Sequence, residues 1–351
     1  MSRFYVFIGH TRQRFTLLIS ALALLALIVA AQIGAVHAAP APKAYVGLFK
    51  DNAVAVIDTG SNKVLTTIAV PVGPHGLVIT PDGRTVYVSS DGDTKVSVID
   101  TTTDTIKATI EVGKTPHGLA LTGHMLLVAV WGADSVVFID TTTNMIVGQV
   151  SVPNPHNIAI APDGLTAYVA SQKPATAALV ILNLADKTQI GSVALDKVPR
   201  ALSFRPDGKE LYFTQLTSDS VQVLDVSTNK IIDQIAVGTS PHYALVSPNA
   251  AYGMVVSQKT NELTMWDPIT HKVQSTVKVG TLPHWIALNS DGTVAYVTNE
   301  TSNDVSVVDL SSGKVIVTIP VGQAPRKIVM QPLASAAGSA TASATAVATA
   351  S

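Results

Sequence analysis

Between residues 44 and 332 short apolar runs alternate with short polar breaks, and inside many runs the apolar positions fall at every second residue, as in VYVSS from Val86 and SVVFID from Ser135. Alternation over four to six residues predicts half-buried β-strands. The runs also repeat at a longer spacing. An apolar run meets an acid, or its amide stand-in, just before a polar turn at Asp58, Asp100, Asp140, Asn183, Asp225, Asp267 and Asp309, at intervals of 40 to 43 residues. A fixed period of about 40 residues with several strands in each period predicts a β-propeller with one four-stranded blade per repeat.

The turns give the strand order within a blade, lettered A to D from the centre outward. Pro81-Asp82-Gly83, Pro162-Asp163-Gly164, Pro206-Asp207-Gly208 and Ser290-Asp291-Gly292 have the composition of tight turns, Pro presetting φ and Gly accepting positive φ, and join strand A to strand B. The recurring Asp opens the turn from C to D, where its carboxylate can close an Asx-turn. Both turn types then lie on one face. A strands start near residues 76, 118, 157, 201, 243, 285 and 327, and B strands near 44, 86, 127, 167, 211, 253 and 295. The two sets are out of phase by one strand. Closure therefore requires residues 326–331 to pair with residues 44–47, leaving no sheet edge at the seam. The expected fold is all-β: seven four-stranded blades, one domain over residues 44–332.

Both ends of the chain read differently. Residues 1–15 carry three arginines and no acid, an apolar run covers residues 17–36, and small residues flank His37. This is the pattern of an export signal ending at Ala38, with a retained membrane anchor or a buried helix as the other readings. Residues 39–43 form a linker. Residues 333–351, almost wholly Ala, Ser and Thr, are expected to be disordered, with a helix as the rival. The expected location is periplasmic, cell-surface or extracellular, with membrane contact only if the leader is retained. Loss of Arg3, Arg12 and Arg14 with the leader leaves 20 basic against 24 acidic residues, which gives nucleic acid no basic surface. With no cysteine, the chain has no disulfide, thiol nucleophile or Cys-held metal.

The B strands read AYVGL, VYVSS, AYVAS, LYFTQ and AYVTN, C strands carry SVIDT or VSVVD, and VG-x-x-P precedes strand A. This pattern resembles the YVTN family of β-propeller repeats, and Tyr296 to Asn299 spells its name. The resemblance spans residues 44–332. It implies a seven-bladed, exported propeller akin to those of surface-layer proteins, nitrous oxide reductase and the haem d1 enzymes, and implies no one chemistry.

One column of the repeat stands out. The residue after the VG-x-x-P proline is His75, His117, His156, Arg200, His242, His284 and Arg326 in turn, so five of the seven histidines outside the leader share one position. Placed just before the innermost strand, they are expected to ring the rim of the central channel, on the face opposite the Pro-Asp-Gly turns. Three readings remain open. The ring is a polar plug inherited by repeat duplication; or His75, His117, His156, His242 and His284 hold Cu or Zn, with an open position and a redox role available; or the arginines and protonated imidazoles receive an anionic small molecule or polymer. The B–C loops open on the same face with Phe49, Lys50, Trp131, Lys173 and Lys259, and with Asp91, Asp93, Asp134, Glu262, Glu300 and Asp304. Their mixed charge is no simple basic patch.

The recurring Asp residues are expected to be structural, His124 and His271 solvated in turns, and Trp266 and Trp285 packed between blades. No Ser-His-Asp arrangement, phosphate loop or HExxH helix occurs, and no carboxylate occupies the ring position itself. The sequence therefore points to a non-catalytic binding or surface-scaffold protein whose ligand, an anion or a surface protein, meets the His/Arg ring, with the metal-binding propeller as the alternative.

Overall fold

The alternating pattern folds into 28 strands forming seven antiparallel four-stranded sheets. The computed structural model describes residues 41–333, so the leader, its cleavage position and the Ala/Ser/Thr-rich segment beyond Leu333 lie outside the described residues. Blade 1 is closed as the phase argument requires: the final strand, Pro325–Met330, pairs with Lys43–Leu48 through Ala44 opposite Met330 and Val46 opposite Ile328. Gln331 N–H donates to Lys43 C=O at 2.7 Å just past the pairing.

Stacking places the core. Strands B and C are covered on both faces by neighbouring blades, so Thr85–Ser90 is buried along its length, whereas the outermost strand Lys63–Ala69 buries little beyond Ile68. One core cluster joins Tyr45, Val54 and Val56 of blade 1 to Leu77, Val86 and Val88 of blade 2, and the other clusters bridge neighbouring blades likewise. Burial of this kind, on the order of 25 cal/mol per Å² of apolar surface, holds blades together that could not fold alone.

The C–D turns form as their composition predicts. Asp100 Oδ1 accepts the Thr102 N–H at 2.8 Å, and Asp225 and Asp309 do the same for Thr228 and Ser312. These bonds hold the exposed carboxylates below the usual range, a local structural role. Each turn ends on a residue at positive φ: Asn62, Asp104, Asn144, Lys187, Asn229, His271 and Gly313. That column also fastens blade to blade. Tyr45 Oη donates to Asp104 Oδ1 (2.7 Å), Tyr87 Oη to Asn144 Oδ1 (3.2 Å) and Tyr168 Oη to Asn229 Oδ1 (2.5 Å), each across to the next blade.

His271 occupies this column, and it corrects the expectation of a solvated side chain. Its Nδ1 lies 2.8 Å from Asp233 and its Nε2 3.2 Å from Glu210, which also accepts from Tyr212 Oη and pairs with Arg205. His124 is exposed as expected, and Trp266 is fully buried in the core between blades 5 and 6. Trp285 is buried too, but on strand A, stacked on Tyr243.

Candidate functional site

The ring residues lie inside strand A, not just before it. Each innermost strand begins at the proline itself, as in Pro74–Ile79 and Pro241–Val246, and its pairing with strand B is interrupted between Pro74 and Leu77, Pro116 and Leu119, Pro155 and Ile158, and the equivalent places. A bulge re-aims the side chain it carries. The preceding residue bends the chain inward, with positive φ at Gly73, Thr115, Asn154, Ser240, Leu282 and Ala324. Non-glycine residues there cost about 1–3 kcal/mol each and mark a position the surroundings hold firmly. Clamps are visible: Asn52, Asp134, Asn261 and Asn303 side chains accept the N–H of Gly73, Asn154, Leu282 and Ala324 at 2.8–3.0 Å.

The histidines thus converge in the throat of the channel rather than at an exposed rim. His75, His117, His242 and His284 are buried and His156 is half-buried. His75, His117 and His156 form a file of mutually tilted rings with centroid separations of 3.6 and 3.9 Å, while His242 and His284 form a second tilted pair at 3.9 Å. His75 and His284 are 5.6 Å apart across blade 1. Close approach of backbones makes the file possible: a Cβ on Gly76 or Gly118 would strike the carbonyl oxygen of His117 or His156. Ser89, Thr214 and Thr298 hydroxyls donate to the carbonyls of His117, His242 and Arg326, locking ring residues to the adjacent blade.

The arginines turn away from this file. Arg326 lies over the Phe49 ring at 3.4 Å, with Glu300 at 3.3 Å and Asp91 at 4.0 Å. Arg200 donates to Ser240 Oγ and Gln258 Oε1. Burial lowers its pKa to about 10, so it stays a cation.

Burial, first, and then the neighbouring histidines and arginines push all five imidazoles down, four of them well below the ordinary histidine range and His156 to about 4. The direction matches what crowding of like charge would produce, but desolvation is the larger cause. At neutral pH the imidazoles are neutral. For His117 and His156 the tautomer is fixed as well: their Nδ1 atoms lie 3.0 and 2.8 Å from the carbonyls of His156 and Arg200, which can only accept. Their Nε2 lone pairs are left free.

No carboxylate occupies the ring position itself, but two of those on the B–C loops reach the throat. They come from the first residue of the B–C loop, which follows the ring residue by sixteen positions in most blades and gives Asp91, Gln172, Leu216, Gln258 and Glu300. Its N–H is pinned to the carbonyl of the inward-bending residue, Asp91 to Gly73 (2.9 Å) and Glu300 to Leu282 (2.9 Å). One ligand atom each from His75, Asp91 and His117 lies within 4.8 Å of the others. Burial raises the Asp91 carboxyl, with Arg326 opposing. Glu300 stands 3.9 Å from His284 Nε2. Aligning the blades on the ring residue exposes this second column in the sequence; the missing step is that its side chains turn inward.

No family model matches the chain. It is 31% identical to the seven-bladed β-propeller protein Rv1057 of Mycobacterium tuberculosis over 123 residues, a match spanning 34% of this chain and 31% of that protein. Among solved structures, hydrazine synthase of Kuenenia stuttgartiensis superposes with a TM-score of 0.71 at 19% identity, covering 76% of this chain and 92% of that one. The dihydro-haem d1 dehydrogenase NirN in complex with DHE superposes with a TM-score of 0.65 at 15% identity, covering 84% and 76%. These likenesses agree with the seven-bladed architecture and with the haem d1 kinship at the level of fold. Proteins of quite different function share it, so the fold alone names no activity.

Proposed function

We propose that this propeller is a binding protein for a divalent transition metal, zinc or copper(II), held in the channel throat by His75, His117 and Asp91. The observation that carries this reading is the convergence of these three ligand atoms within 4.8 Å. Two neutral imidazoles and a carboxylate form a borderline donor set that suits these ions, and the absence of cysteine excludes a thiolate site. The Nδ1 bond of His117 to a backbone carbonyl is the outer contact by which proteins orient a metal-binding imidazole. The anion reading has less support. Five imidazoles held neutral contribute no charge, and Arg326 already has Glu300 and Asp91 beside it. Export by the N-terminal segment belongs to the same proposal and rests on residues 1–38 alone.

The test is elemental analysis and calorimetric titration of protein purified without a histidine tag. We expect close to one equivalent of zinc or copper. Replacing His117 with Gln and Asp91 with Asn together should weaken binding by more than the 10–100-fold, roughly, that follows loss of an outer contact alone. Chelator-treated protein that takes up neither ion would reject the proposal.

A further inference from the structure

Beneath the histidine ring, toward the face that carries the Pro-Asp-Gly turns, lies a cavity of about 330 Å³ lined by residues from all seven blades. Aliphatic side chains, among them Leu77, Leu121, Ile158 and Leu202, form part of its wall. The polar and aromatic part comes from four residues that each follow the ring residue directly in sequence: Asn157, Tyr243, Trp285 and Lys327.

Lys327 is the unusual one. Its residue is only 9% exposed, yet no carboxylate pairs with it among the described residues. The ammonium has a single long contact, 3.5 Å to the Leu119 carbonyl, and sits 4.7 Å from the centre of the Trp285 ring. A buried ammonium left so poorly partnered destabilises the fold unless something supplies the missing charge. Burial pushes its pKa down to about 8. Asn157, 6% exposed, makes no side-chain hydrogen bond among the described residues, and neither does the Tyr243 hydroxyl. Tyr243 and Trp285 stack at 3.6 Å with 7° between their planes, which gives one wall a rigid aromatic face.

A weakly partnered ammonium, an amide and a phenol without hydrogen-bond partners, set among aliphatic side chains beside an aromatic wall, are the features of a small-molecule site. We infer that this lower chamber binds a small aromatic carboxylate, its anionic group on Lys327 Nζ and the Asn157 amide and its ring among the aliphatic side chains beside Tyr243 and Trp285. The size limits the ligand to one or two rings. The ammonium supplies the charge, the amide a hydrogen-bond donor, and the aliphatic walls the apolar surface. This site is separate from the metal proposal: it uses none of His75, Asp91 or His117.

Calorimetric titration of the full chain with benzoate, and with benzamide as its uncharged counterpart, tests the inference. Benzoate should bind with one-to-one stoichiometry and about tenfold or more tighter than benzamide, since every 1.4 kcal/mol of charge interaction is a factor of ten. Lys327→Met should abolish that preference while raising the melting temperature of the ligand-free protein, because it removes a buried unpaired charge. Asn157→Leu should weaken benzoate binding independently, so a Lys327 variant that folds poorly does not leave the question open. Arg200→Gln, in the ring above, should leave benzoate affinity unchanged. Equal binding of the two probes, no binding of benzoate, or a benzoate affinity that follows Arg200 instead of Lys327 would each overturn the lower site. None of these results bears on metal uptake, so the two proposals fail separately.

Discussion

At the residue scale, the informative positions are columns of the repeat rather than single side chains. Tyr45, Tyr87 and Tyr168 each reach the positive-φ residue of the next blade, but with different partners. Tyr45 bonds a carboxylate shared with Lys43 Nζ at 2.6 Å, whereas Tyr87 bonds a neutral amide at longer range. Removing a hydrogen bond to a charged group costs about 1.5–3 kcal/mol against about 0.5–1.5 for a neutral one. Tyr45→Phe should therefore lower the melting temperature more than Tyr87→Phe, and equal shifts in calorimetry would contradict that ranking. Gly73 offers a sharper case. Its φ is +72°, and an added Cβ would lie 2.7 Å from Asp91 Oδ1 and 3.1 Å from Phe49. Gly73→Ala should cost about 1–2 kcal/mol in backbone strain and push Asp91 aside, weakening zinc or copper uptake as well as stability.

At the element scale, strand identity and order were legible in the sequence because each blade carries its own period-two pattern and its own turn residues. The seam was legible too, since the phase mismatch leaves residues 326–331 no partner except residues 44–47. What pattern could not show was the bulge at the start of strand A. Pro74-His75-Gly76 reads as the approach to a strand; only the clamp on the Gly73 N–H and the closeness of the His117 carbonyl to Gly76 show that the ladder is already running and that His75 points into the throat. Asp91 and Glu300 were placed on the right face by the repeat, but the same gap left open which way they point, since that depends on backbone bonds across a bulge; Lys327 was missed because exposure cannot be told from residue type. Strand closure has a direct test. Ending the chain before Pro325 should expose the edges of Lys43–Leu48, lower the melting temperature strongly and promote self-association; gel filtration and calorimetry showing a monomer of unchanged stability would contradict the role given to this strand.

At the scale of the whole molecule, the five imidazoles of the throat couple the fold to pH. Each has a folded pKa below its unfolded value near 6.5, so the unfolded chain binds more protons once the pH falls below that value. Their stabilisation is complete above about pH 6.5 and is lost on acidification, over a window that opens at that value and reaches about pH 4 for His156, the other four also lying well below the ordinary histidine range. Each contributes a slope of up to about 1.4 kcal/mol per pH unit where the two states differ by one full proton. Metal-free protein should show a steep fall of melting temperature between pH 6.5 and 4. Replacing His242 and His284 with Phe should flatten it, and an unchanged profile would show that protons enter elsewhere.

The pairing of Pro325–Met330 with Lys43–Leu48 also sets an order in time. A ribosome delivers the chain from the N-terminus, so Lys43–Leu48, the first strand among the described residues, is the last to acquire its inner neighbour, after some 280 intervening residues have appeared. Blades 2 to 7 can stack as they emerge, each on the one before. Blade 1 must wait with the backbone groups along one side of Lys43–Leu48 unanswered. Closing so long a loop is slow, and until it happens the growing protein is an open arc with a free strand at its start. Any factor that shields a nascent chain from aggregation would be needed longest at these opening residues.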